Sequence, residues 1–143
     1  MFKIGLDNGL ILHTKNAIKA SERPPMVSSL GGHDSYEDGS PEFDYEILYW
    51  RKCWNLRREI SHALNLPFDY VQKFGLSIDE VKTIWHVINE NNNKYWWEHT
   101  DSIWSYEEMR DHLDNDLLAL EWLIHYMRAH KENEYMVEFY DSY

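Results

Sequence analysis

Cysteine occurs once in the 143 residues, at Cys53, so the chain can close no disulfide on itself, and a reducing, cytoplasmic setting is expected. Basic residues are scarce: 14 Lys and Arg against 25 Asp and Glu leave a formal net charge of −11. That balance argues against the many phosphate contacts on which nonspecific nucleic-acid binding rests. No apolar run approaches the ~18 residues of a membrane span, and "MFKIGLDNGL" has no apolar signal segment, so neither a span nor a cleaved leader is expected. Catalytic signatures are missing too. There is no G-x-S-x-G elbow and no H-E-x-x-H, and "SLGGHDS" lacks the lysine of a phosphate loop.

What is plentiful is aromatic surface. Seven tryptophans, ten tyrosines and 43% hydrophobic residues exclude a disordered chain despite the charge. A chain of this length buries roughly 68% of its unfolded surface as one domain, and residues 1–143 are expected to form a single α+β domain.

The opening "FKIGLDNGLILHTK" reads as a β-hairpin over 2–15, with "DNG" as the turn. Residues 20–40, rich in Ser, Gly, Pro and Asp, read as a long loop. "SPEF" looks like a helix start, with Ser40 as N-cap, and predicts a helix over about 41–65, ending before Pro67. Capping boxes at Ser77/Glu80 and Ser105/Glu108 predict helices over about 78–99 and 106–130. The tail "EYMVEFY" alternates as a strand over about 134–140 and needs a partner, which the hairpin supplies. The expected fold is therefore a three-stranded antiparallel sheet, hairpin plus C-terminal strand, packed on about three helices.

Four basic residues (Arg51, Lys52, Arg57, Arg58) fall within "RKCWNLRR". On the expected helix, Arg51, Asn55, Arg58 and His62 share a polar face. Trp50, Trp54 and Arg57 form another arc beside the core stripe, expected to lie under the long loop. Charge is segregated along the chain: residues 21–44 and 101–143 carry net −5 and −8, whereas 1–20 and 45–64 are each +2. In the third helix Glu107, Asp111 and Asp114 fall at helical spacing, with Glu108 and Asp116 nearby, forming an acidic solvent face.

Eight histidines place several beside carboxylates, among them "EHTD", the i,i+4 pair His112/Asp116 and the pair Glu121/His125. None has a second histidine one turn away, so surface or capping roles are expected and neither metal nor cofactor is assigned. "NKYWW" places Trp97 off the apolar phase, as an exposed ring.

The length, "YEILYWRKCWNLRREI" and the acidic end "VEFYDSY" resemble the small, acidic, aromatic-rich proteins encoded by bacterial viruses and prophages. That resemblance implies a host-takeover or counter-defence role, such as an anti-CRISPR protein occupying a basic nucleic-acid site. The net positive stretch 45–64 departs from pure nucleic-acid mimicry. The leading expectation is a non-enzymatic protein-binding module for a basic partner, a CRISPR effector or other nucleic-acid enzyme, with no direct nucleic-acid contact. Its contact residues would be Glu107, Asp111, Asp114 and Trp97, with Tyr36, Glu37 and Asp38 of the loop. Two alternatives stay open: a nucleotide or small-ligand protein using Arg51, Arg58 and His62, and, further off, a metal-dependent hydrolase. A homodimer is also open.

Overall fold

Apolar and aromatic residues alternate with polar ones along three segments that build the centre of one antiparallel sheet. The computed structural model describes residues 7–25, 36–37, 43–51, 54–67, 72–91 and 106–142. The strands are β1 (Asp7–Thr14), β2 (Tyr36–Glu37), β3 (Phe43–Arg51), β4 (Gln72–Gly75) and β5 (Tyr135–Ser142). Their order is β2-β3-β1-β5-β4: four strands form the body, and the two-residue β2 extends one edge. Three helices accompany them, α1 (Trp54–Leu64), α2 (Ile78–Asn91) and α3 (Tyr106–Ala129). The α+β class is as expected, and the C-terminal strand does pair with the N-terminal one.

Three expectations are corrected, the first being the strand number: four strands, not three, form the body of the sheet. The turn expected at "DNG" is strand: Asp7, Asn8 and Gly9 belong to β1, which is flanked by β3 and β5, while residues 1–6 lie outside the described residues. Gly9 is there for close approach instead, because a Cβ at that position would stand 1.9 Å from the Leu48 carbonyl oxygen.

The helix expected over 41–65 is a strand followed by a helix, β3 then α1. Tyr45, Leu48 and Trp50 point to the core, whereas Asp44 and Glu46 lie on the other face with His13 and Tyr140. A bulge opposite Leu10/Ile11 inserts Ile47, so two apolar residues follow one another and the period of two is broken. That break is what imitates a helical stripe. The chain turns out of α1 at Asn65, in the left-handed region at φ 54, ahead of Pro67.

α2 starts with the reciprocal cap read from sequence: Glu80 N–H donates to Ser77 Oγ at 3.2 Å, and Ser77 N–H to Glu80 Oε1 at 3.0 Å. Its Val81, Ile84 and Ile88 are buried. α2 packs against both α1 and α3. In the sheet, Asn8 lies opposite Trp50 on one side and Asp141 on the other, so these three share a face. Trp50 bonds to α3 and Asp141 to α1, which puts both helices on that face. Leu10, Leu12, Leu48, Ile60, Ile84, Leu120, Leu123 and Phe139 meet between the layers.

Candidate functional site

Helix α3 divides sharply into a wet side and a dry side. From Asp111 to His125 the exposed positions are Asp111, Asp114, Leu118, Glu121 and His125, spaced 3-4-3-4 and so on one face. Leu118 is 59% exposed, one turn from Asp114 and from Glu121. With Met136, it is one of two large apolar side chains left exposed among the described residues. The stripe thus sets one exposed apolar side chain between carboxylates on neighbouring turns.

The dry side carries polar groups that the sequence reading placed in solvent. Asp116 is 2% exposed and accepts a 2.8 Å hydrogen bond from Trp50 Nε1. His112 is buried beside it, with Nε2 3.6 Å from Asp116 Oδ2. Burial pushes the Asp116 carboxyl up to about 6, against the pull of His112 and of the Trp50 bond. Asp116 therefore leaves the acidic solvent face, and His112 has no surface or capping role. Among the described residues, neither ring nitrogen of His112 nor either polar atom of the Asn8 side chain has a hydrogen-bond partner.

Arg57 is likewise buried. It grips Asp141 of β5 through Nε at 2.8 Å and Nη2 at 2.7 Å, donates to the Pro67 carbonyl, and stands over the Phe139 ring. Asp141 comes from the acidic end "VEFYDSY", so this part of the tail's charge is spent inside the fold.

The opposite face of the sheet centres on His13. Its Nδ1 is 2.5 Å from Asp44 Oδ1 and its Nε2 2.9 Å from Glu138 Oε1, so one imidazole ties β1 to both neighbouring strands. Burial alone would lower the imidazole pKa, but the hydrogen bonds and charges of Asp44 and Glu138 outweigh it and hold the value above 6.5. Tyr140 O–H donates to Glu46 at 3.2 Å on the same face.

A cleft of about 420 Å³ opens between α3 and residues 16–22. Trp122, Tyr126 and His130, at i, i+4 and i+8, stack along it with centroids 5.4 and 3.9 Å apart. Trp122 Nε1 donates to the Glu22 carbonyl at 3.2 Å, and His130 Nδ1–H to that of Tyr126 at 2.9 Å. Burial first, then Glu134, raise the Tyr126 phenol above 10. Sequence reasoning missed this site. The signal is W-x3-Y-x3-H at helical spacing, which interleaves with the Glu121/His125 pair.

Of the expected contact residues, Asp111 and Asp114 are exposed together on α3, where Glu107 lies in the same helix. Tyr36 and Glu37 form β2, and Trp97 and Asp38 lie outside the described residues. The alternative ligand face is divided: Arg51 ends β3, while Arg58 and His62 remain neighbours, both exposed, on α1. Among the described residues no group of three His, Cys, Asp or Glu is placed to hold a metal ion. No described helix is long and apolar enough to cross a membrane.

No protein-family model matches this chain, and neither a curated protein nor a solved structure matches it significantly.

Proposed function

We propose that this is a non-enzymatic binding protein that docks, through the exposed face of α3, onto a positively charged surface of another protein. One observation carries the reading: the wet stripe of α3 is Asp111, Asp114, Leu118, Glu121 and His125, carboxylates around an exposed leucine. At net charge −11 the whole chain adds long-range attraction to a basic partner, which raises the rate of encounter. Leu118 supplies the apolar contact that charge alone lacks. Basic surfaces of this kind are those that hold nucleic acid, so the favoured partner is a nucleic-acid enzyme or defence effector, a CRISPR effector among them. Occupying its groove would make the chain an inhibitor.

Reversing Glu107, Asp111 and Asp114 to lysine tests this. Binding to the captured partner is expected to be lost, and wild-type binding should weaken as salt rises from ~0.05 to ~0.5 M. A variant that binds as well as wild type contradicts the proposal.

A further inference from the structure

The cleft beside α3 has its own chemistry, although His125 lines it as well as ending the docking stripe. We infer that it is a receptor site for a guanidinium group. Three observations converge on that ligand. The first is the aromatic stack: Tyr126 stands between Trp122 and His130 in the row, and the Trp122 indole is pinned beside Glu22 by its hydrogen bond to the Glu22 carbonyl. A planar, delocalised cation stacks on the remaining face of such an indole, which a compact ammonium does less well.

The second is charge. The lining holds Glu22 and Glu134 against a single Lys19, which is exposed, so with histidines counted neutral it carries a net negative charge. Carboxylates beside a ring are what a guanidinium fork uses, pairing through two parallel N–H donors while its plane stacks. Burial first, then the negative charge of Glu134, raise the Tyr126 phenol, so that carboxylate does act on the ring. The third is size. About 420 Å³ falls in the range of small-molecule sites and exceeds what a bare inorganic cation needs.

The shared chemistry has two sources: a free guanidino compound, or an arginine side chain of a protein partner. Titration calorimetry on the full chain separates them, with agmatine for the first and N-acetyl-arginine methylamide for the second. The citrulline analogue, uncharged and nearly isosteric, serves as the control.

Dissociation constants near ~1 mM or tighter are expected for the guanidinium compounds, with the citrulline analogue about tenfold weaker or silent. Tighter agmatine assigns a small guanidino ligand; tighter capped arginine assigns a protein side chain. Glu22→Gln with Glu134→Gln should weaken the guanidinium compounds about tenfold at an unchanged thermal midpoint. The Glu107, Asp111 and Asp114 reversal should leave them unaffected, which keeps failure of the cleft distinct from failure of the docking stripe. Equal binding of arginine and citrulline in the wild-type chain, or no binding of either guanidinium compound at about 10 mM, overturns the inference.

Discussion

Asp114 and Asp116 stand two positions apart on one helix and live in opposite environments. Asp114 is exposed in a stripe of carboxylates; Asp116 is buried, bonded to Trp50 and beside His112. A helix turns by about 200° over two residues, so near neighbours in sequence can face water and core. The teaching is that acidity in this chain sits in two environments. Carboxylates on the dry side are part of the architecture, and those on the wet side face solvent. Net charge cannot tell them apart, because both count equally towards −11.

The largest expected effect lies on the dry side. Asp141→Ala leaves Arg57 buried without its carboxylate and should destabilise by about 3–5 kcal/mol, read by urea denaturation. A loss under about 1 kcal/mol would mean that Arg57 finds water, and that the buried side is not as dry as drawn.

Asp116→Asn sharpens the contrast through pH. With its folded value raised from 3.8 to about 6, the native state holds this proton more tightly than the unfolded chain does. The wild type therefore loses stability as pH rises through that window, and the asparagine variant does not. The variant should gain on wild type by roughly 2 kcal/mol between pH 4 and pH 7. A difference that is flat with pH would sink the assignment of a buried, titrating Asp116.

His13 gives a smaller effect of the same sign in a later window. Its folded value is raised, so its contribution is fully present below 6.5 and fades as pH rises through the higher folded value. The gap in thermal midpoint between wild type and His13→Gln should be widest near pH 5.5 and close towards pH 8.5. A gap that widens with pH would contradict the ion-paired imidazole.

The smallest effect on stability belongs to the wet side. Reversing Glu107, Asp111 and Asp114 to lysine should change stability by no more than about 0.5 kcal/mol per site. A collapse of the fold on reversal would erase the distinction between the two sides of α3.

Two local signals match the structure, while the equally local "DNG" and "SPEF" do not, because strand pairing overrides them. The Ser77/Glu80 cap and the alternating tail each state their structure within a few residues. β3 was misread because its bulge sits at Ile47 and depends on pairing with β1, which no local window contains. The same long-range cause hid the buried polar groups. Arg57 meets Asp141 across 84 positions, and Trp50 meets Asp116 across 66. Of the candidate sites, Asp111 and Asp114 were legible from helical spacing alone, whereas the cleft needed residues 16–22 brought against α3.

The most direct test compares capture by the wild-type chain and by the Glu107, Asp111 and Asp114 reversal. Both proteins would be immobilised and exposed to nuclease-treated bacterial lysate after their thermal midpoints are shown to agree. The expected result is a basic protein held by the wild type and absent from the variant. The same protein recovered in equal yield from both would contradict docking through the exposed face of α3.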